Sequence, residues 1–279
     1  MQNQIPPLIL TFGESDPVAA AGVQADLATF IAMGCHGLPV LTAILIGDTS
    51  QVDNIHPLEA ELVSDQARTL LEDMEITAIK IGQIGSVENI TVIAEIISDY
   101  PEMPVVLDPF SSTAQINESE EDDCFTAIRE LLIPQASLLL ISAVELSRLA
   151  ESWRTIDSND KHEDISSDAL HMVASGCEYV LVTGIPGVGD EEVNTLFADT
   201  GIVRSDHWKR IPGLYLGAGE TLSAGITAAL ANGLKMSDAV HEAQEFTVAA
   251  LLNAQRFGMG RLVPNRFFWA IDSYPHIKE

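Results

Sequence analysis

Gly217-Ala218-Gly219-Glu220-Thr221, running straight into Leu222-Ser223-Ala224-Gly225-Ile226-Thr227-Ala228-Ala229-Leu230, is the stretch on which the reading of the fold turns. Three small residues and a carboxylate lead into an apolar segment that reads as a buried helix, which is the layout of an anion cradle with a base in it. Small residues let backbone N–H groups approach an anion closely, and the first turn of a helix adds unpaired donors and a positive dipole end. Glu220 stands where a carboxylate can take a proton from an attacking hydroxyl. A glycine-rich helix entry with a capping glutamate has the same local sequence, so the remainder of the chain has to decide between the two.

Outward from the cradle, apolar runs bounded by turn residues alternate with helix-periodic stretches along the whole chain, the pattern of a parallel sheet with crossover helices. Strands are predicted at Leu8–Phe12, Leu38–Ile46, Ala78–Ile81, Val105–Leu107, Ser137–Ile141 and Tyr179–Val182, with a β-hairpin at Glu192–Phe197 and Gly201–His207. Helices are predicted at Gly22–Met33, Pro57–Met74, Val87–Ser98, Cys124–Leu132, Ala143–Glu151 and Ala169–Ser175. Two more, Leu222–Asn232 and Ser237–Arg256, follow the cradle. No linker, repeat or low-complexity tract interrupts this, so the expectation is one domain over residues 1–279. Two acidic runs, Glu118–Asp123 and Asp157–Asp168, read as solvated loops.

The chain has 279 residues, 47% of them hydrophobic and 20% charged, enough for a well-buried α/β core. Forty-one acidic against 14 basic residues give a net charge of -27, which argues against nucleic acid or an anionic membrane as partner. A phosphate site in such a field needs local cations, a metal ion or backbone donors. The 3 cysteines, Cys35, Cys124 and Cys177, form no CxxC and no even framework, which suits free thiols in a reducing compartment. With no basic leader before Pro7 and no apolar run of about 18 residues, a cytoplasmic protein is expected.

In open parallel sheets ligands bind beyond the carboxyl ends of the strands. Asp16 follows the first predicted strand, Gly47-Asp48-Thr49 the second, Asp108-Pro109 follows Val105–Leu107, Ser142 and Glu145 follow Ser137–Ile141, and Thr183-Gly184 follows Tyr179–Val182. Each alone reads equally as an Asx-turn or a helix cap. Their convergence with the cradle favours a site.

Gly22-Val23-Gln24-Ala25-Asp26-Leu27 after Ser15-Asp16, then Leu41-Thr42-Ala43, Lys80-Ile81-Gly82, Val106-Leu107-Asp108-Pro109 and the Gly217–Ala224 segment, in that order, resemble the hydroxymethylpyrimidine/phosphomethylpyrimidine kinases of thiamine biosynthesis. The glycine-rich segment is common to the wider ribokinase-like superfamily, whereas the Ser-Asp and Gly-Val-Gln-Ala-Asp-Leu pair is more specific. The resemblance implies a three-layer α/β/α ribokinase-like fold with a mostly parallel sheet. It also implies ATP-dependent transfer of a phosphoryl group to a small pyrimidine alcohol or its phosphate, with Mg²⁺. Carried over, Asp108 and Glu145 serve magnesium, while Asp16, Gly22 and Gly47 lie at the substrate. Gly217, Ala218, Gly219 and Glu220 hold the transferring group, and Thr183, Gly184 and Thr221 lie by the nucleotide. A homodimer is expected by analogy alone, since the periodicity exposes no seam.

The departures from the pattern are specific. Glu220 stands where the pyrimidine kinases usually have cysteine and the superfamily aspartate, so a carboxylate base is retained with one more methylene. The family's pyrimidine-bonding glutamine falls at Gly47, its glycine before Ser-Asp is Glu14, its glycine-rich turn is Pro17-Val18-Ala19-Ala20-Ala21, its magnesium-motif asparagine is Ser142 and its phosphate-side lysine is Thr183. Pyridoxal kinases of the superfamily often carry threonine at that last position. A pyridoxal-type kinase and a non-catalytic paralogue that binds pyrimidine or nucleotide are therefore the competing readings. Lys80 is expected to be structural, Lys209 and Arg210 to offset the acidic field near the nucleotide, His36, His171 and His241 to lie outside catalysis, and Phe267, Phe268 and Trp269 to pack on the last helix.

Overall fold

Strand residues here alternate between two apolar faces, which requires helices on both sides of the sheet. The computed structural model of the chain describes residues 5–110, 118–151, 153 and 165–273. Its sheet is nine-stranded, in the order β3-β2-β1-β4-β5-β6-β7-β8-β9. The strands are β1 (Leu8–Ser15), β2 (His36–Gly47), β3 (Val52–Pro57), β4 (Ala78–Ile81), β5 (Val105–Leu107), β6 (Leu138–Ser142), β7 (Tyr179–Pro186), β8 (Glu191–Ala198) and β9 (Gly201–Lys209). Pairing from β2 through β7 is parallel, and only the flanks, β2 with β3 and β7 with β8 and β9, are antiparallel.

The helices are α1 (Gly22–Ala32), α2 (Ala60–Asp73), α3 (Val87–Ser98), α4 (Glu118–Ala127), α5 (Ala143–Ala150), α6 (Ile165–Ala174), α7 (Ala218–Ala231) and α8 (Met236–Leu252). Leu10, Phe12, Ile79, Ile81, Val105 and Leu107 pack against α2 and α3 through Val63, Ile90 and Ile93. Their strand neighbours Ile9, Ala78 and Val106 face the other way, onto Phe30 of α1 and onto Ala224, Ala228 and Ile226 of α7. This is the expected three-layer α/β/α arrangement. Helix α7 lies in the middle of its layer, and its Leu222–Ala229 stretch is buried throughout, which explains a composition of small and apolar residues with no polar stripe.

The structure corrects four expectations. The helix expected from Pro57 begins only at Ala60, as α2, and Pro57 instead ends strand β3, an unexpected element that pairs with β2. The polar sequence Val52-Asp53-Asn54 hides it because an edge strand exposed on both faces shows no apolar alternation. The acidic run Glu118–Asp123 is helical, the first part of α4, and a π-helical turn at Ile128–Leu132 continues it. Part of the second acidic run lies outside the described residues, but Asp168 is in α6 and buried. The last long helix stops at Leu252, four residues before the expected end.

Phe268 and Trp269 pack on Phe246 of α8 with ring centroids 5.9 and 6.1 Å apart, as expected for the tail. No helix among the described residues is long and apolar enough to cross a membrane.

Beneath the carboxyl ends of the central strands, Lys80 of β4 is buried and its Nζ lies 2.9 Å from Asp26 Oδ1 of α1. The other Asp26 oxygen accepts from the Thr11 hydroxyl of β1 at 2.6 Å. Asp26, Asp108 and Glu220 together hold the Lys80 proton more firmly than usual, although burial by itself works in the opposite direction. Removing one member of a buried pair leaves an uncompensated charge, so Lys80→Met is expected to cost roughly 3–5 kcal/mol in urea denaturation. Lys80→Met with Asp26→Leu should recover part of that loss, and a double variant less stable than the single one would show that the pair is not its source.

Candidate active site

The site is built from the polypeptide immediately after β1, β5, β6 and β7, on which the first turn of α7 closes. Leu216 precedes Gly217, which caps α7 in a left-handed conformation at φ 89. A Cβ at Gly217 would stand 1.7 Å from the Ala20 carbonyl oxygen and 2.8 Å from Arg266 Nη2, so only glycine allows the cradle to approach the loop after β1. Arg266 secures that approach. Its Nη2 donates to Ala20 O at 2.6 Å and to Gly217 O at 3.2 Å, and its Nε donates to the Thr221 hydroxyl at 3.1 Å.

Thr221 is fully buried and donates its own hydroxyl to Gly217 O at 2.6 Å. Its side chain therefore braces the cradle from inside.

Asp16 directly follows β1 and is buried. Its Oδ1 accepts from Val18 N at 2.9 Å, and its Oδ2 from Ala20 N at 2.9 Å and Ala21 N at 2.8 Å. These bonds fold the loop before α1, in which Ala19 adopts a left-handed φ of 57 where the family pattern has glycine. Gly22 starts α1, also with a left-handed φ, against the Glu14 backbone.

On the magnesium side, Asp108 follows β5, and its Oδ2 accepts from Ser223 Oγ of α7 at 2.7 Å. Burial pushes the Asp108 carboxyl up to about 7; Lys80 opposes this, Glu220 adds repulsion, the Ser223 bond lowers it and Glu145 raises it again. Glu145 and Ser142 form a capping box on α5. Ser142 Oγ accepts from Glu145 N at 3.2 Å and Glu145 Oε2 accepts from Ser142 N at 2.8 Å, which gives the serine in place of asparagine a structural reason.

Two cavities meet here. One, about 200 Å³, is lined by Glu14, Asp16, Gly47, Gln83 and the β2–β3 turn. The other, also about 200 Å³, is lined by Asp108, Ser142, Glu145, Thr183 and Gly217–Gly219. Leu216, Glu220 and Arg261 belong to both walls. Burial raises the Glu220 carboxyl, its own backbone N–H and Lys80 counteract that, Asp26 adds to it, and Arg266 opposes it. Gly184 stands apart from the second cavity's wall, and its N–H donates to Asn194 Oδ1 at 3.0 Å.

A third cavity of about 260 Å³ opens beside α7 and α8, with Lys209 and Arg210 among its lining residues. His171 stacks on Trp153 and His241 lies 3.2 Å from Asp206, and neither is among the residues that line these cavities.

Three residues that the sequence reading did not assign to the site belong to it. Arg266 and Arg261 come from an irregular tail with no periodic signal. The Arg261 loop docks on the β2–β3 turn through Gly260 N to Thr49 Oγ1 at 3.0 Å and Arg261 N to Thr49 O at 2.9 Å. Glu14 was visible only as an exception to a pattern.

This arrangement, a cradle at a helix start facing two carboxylates across the ends of a parallel sheet, defines the chain as a small-molecule kinase of the ribokinase-like class. The family model for phosphomethylpyrimidine kinase matches residues 16–265, and the chain belongs to that family. A hydroxymethylpyrimidine/phosphomethylpyrimidine kinase of Streptomyces coelicolor is 30% identical over 95% of this chain and 96% of its own length. A pyridoxine kinase of Bacillus subtilis is 31% identical over 87% of this chain and 89% of its own. Among solved structures, an ADP complex of Bacillus subtilis pyridoxal kinase superposes with a TM-score of 0.81 at 26% identity, covering 95% of this chain and 99% of that one.

Two predictions follow from the geometry. Gly217→Ala is expected to lose more than about 1 kcal/mol of stability, because a side chain at positive φ is strained even before the clash with Ala20. Hydrogen exchange should show residues 17–21 loosened in that variant, and unaltered protection there would contradict the close approach.

Burial pushes the Glu14 carboxyl from 4.5 up to about 8, with Glu220 and Asp16 adding repulsion and Lys80 opposing. The folded state thus holds a proton that the unfolded chain releases. The contribution is fully present below pH 4.5 and is lost as pH rises through about 8. Melting temperature should fall across that window, and Glu14→Gln should flatten the fall; an identical slope in the variant would assign the linkage to another group.

Proposed function

We propose that the protein is a single-domain ATP-dependent kinase that phosphorylates a hydroxymethyl-substituted pyrimidine, its monophosphate or both. The observation that carries this reading is the position of Glu220 on the wall shared by two cavities, with the cradle on one side and a ring-sized pocket on the other. A hydroxymethyl group entering from the first cavity meets Glu220 before it meets a phosphoryl group seated at Gly217–Gly219. Geometry comes first for a general base, and a carboxyl raised by burial is a better proton acceptor than a free one.

The cradle supplies the N–H donors of the first α7 turn to the charge that develops on the transferring group. Lys80 holds the Asp26 carboxylate, Arg266 ties the cradle to the loop after β1, and both cations oppose the upward shift that burial imposes on Glu220. Arg261 adds a cation at the boundary.

Magnesium belongs to the same reading. Asp108 and Glu145 line one cavity, and the Asp108 carboxyl, raised to about 7 by burial, is a group whose ionised form a cation would favour. Two carboxylates completed by phosphate oxygens and water suit this ion. When bound, it would neutralise charge on the nucleotide phosphates. Homodimeric association is part of the proposal and is checked by light scattering.

The presence of a pyridoxine kinase among the relatives makes pyridoxal the second substrate to test. ATP consumption with hydroxymethylpyrimidine, its monophosphate and pyridoxal in parallel should show turnover on the pyrimidines. Glu220→Gln should lower kcat by roughly 10²–10⁴-fold, the usual contribution of a general base. Turnover on pyridoxal alone would move the function to that ring, and a Glu220→Gln variant with undiminished kcat would remove the glutamate from the chemistry.

A further inference from the structure

Position 47 is closed to a ring-contacting side chain. A Cβ on Gly47 would lie 2.6 Å from Gln51 O and 3.0 Å from Val52 Cα, both backbone atoms of the β2–β3 turn, so the turn itself occupies that place. The cavity has nevertheless kept a polar group on its inner wall. Glu14, at the end of β1, is 6% exposed, lines the cavity, and has no hydrogen-bond or ion-pair partner among the described residues. Such a group is costly unless a ligand completes it.

Its neighbour Asp16 is unsuited to that role, because its two oxygens already accept three backbone N–H groups. Glycine at 22 accommodates the Glu14 stem, since a Cβ there would come within 3.3 Å of Glu14 Cγ and 2.3 Å of Glu14 O.

We infer that Glu14 reads the substrate ring in this chain, as a neutral carboxyl whose O–H donates to a ring nitrogen while its C=O accepts from an adjacent amino N–H. A carboxylic acid presents one donor and one acceptor side by side, the same pair that a primary amide presents, so it can do from β1 what a glutamine at position 47 would do from β2. The chemical class it selects is a ring with an amino group next to an unprotonated nitrogen. A ring carrying a phenolic oxygen and an isolated nitrogen offers no such edge. The inference rests on the proposed kinase reading for the identity of the cavity, but not for the pairing itself.

The charged groups around the cavity favour the neutral form. Asp16 beside it and Glu220 from α7 repel a second negative charge, and Lys80 below, already paired with Asp26, only partly opposes them. Asp48 and Arg261 complete the charged lining. Burial is the largest cause of the upward displacement to about 8.

The test is equilibrium binding by calorimetry of hydroxymethylpyrimidine and, in parallel, pyridoxal, to wild type, Glu14→Gln, Glu14→Ala and Gln83→Ala at pH 7 and pH 9, with kcat and KM measured on the same preparations. Melting curves establish that each variant is folded. Wild type should bind the aminopyrimidine at pH 7 and at least several-fold more weakly at pH 9. Glu14→Ala should weaken binding by about 10-fold or more, as expected when a hydrogen-bonding pair is left open. Glu14→Gln should restore it and remove the loss at pH 9, a rescue that a merely structural glutamate would not give.

Aminopyrimidine affinity unchanged in Glu14→Ala, or lowered equally in Glu14→Gln, overturns the assignment. So does a loss confined to Gln83→Ala, the neighbouring amide on the wall. Wild type that phosphorylates the pyrimidine while Glu14→Ala keeps its KM overturns Glu14 alone. Binding with the predicted variant pattern but without turnover sustains Glu14 and overturns the kinase reading. Preference for pyridoxal in the wild type overturns both.

Discussion

The fully buried Lys80 cation sets the electrostatics at the centre of this protein. Lys80 stands beneath the convergence of Asp26, Asp108 and Glu220, in a chain of net charge -27. Without it, several carboxylates would have to share a small, poorly solvated volume, where like charges drive one another toward the neutral form. Its direct partner Asp26 sits on α1 and is bonded to β1 through Thr11, so the same contact that compensates charge ties α1, β1 and β4 together. The ends of these strands are where the two cavities open. Charge compensation and positioning of the site are therefore one structural requirement.

Arg266 performs the corresponding task above the sheet. It is 4% exposed and bridges the loop after β1 to the cradle and first turn of α7, two segments far apart in sequence from each other and from the tail that carries it. Burial lowers its affinity for its proton, while Glu220, Asp26 and Asp16 raise it. Both buried cations thus interact with Glu220 and Asp26. A net negative charge on the whole molecule is compatible with a phosphate site because the long-range field is set by the surface, whereas the cradle is governed by fixed charges and oriented N–H groups within a few ångströms.

Much of the fold was legible because the central strands are buried on both faces and their helices are strongly periodic. Residues 87–98 and 105–107 were placed to the residue. Edge strand β3 was not, since neither of its faces is buried, and the acidic start of α4 carries a loop-like composition in spite of its helical structure. At the site, the residues that follow parallel strands were readable from position alone: Asp16, Asp108, Glu145 and Thr183 line the cavities, whereas Gly184 does not. Their detailed engagement was not readable. The inward turn of Thr221 depends on Arg266, which is 45 residues away and lies in a tail whose conformation is fixed by tertiary contacts such as Asn265 N to Ala250 O.

The departures from the family pattern become coherent when taken as a group. Ser142 in place of asparagine makes a capping box with Glu145, which holds that carboxylate at the start of α5. Glycine at 47 lets the β2–β3 turn close onto its own backbone, and the Arg261 loop then docks on that turn through Thr49. The turn leaves no room for a side chain at position 47, and Glu14 supplies a polar group from the adjacent strand β1. Losing a polar group from a pocket and gaining an unpartnered one in the same pocket are each unfavourable alone. Taken together, they leave the cavity wall with a polar group in place of the one that position 47 cannot carry.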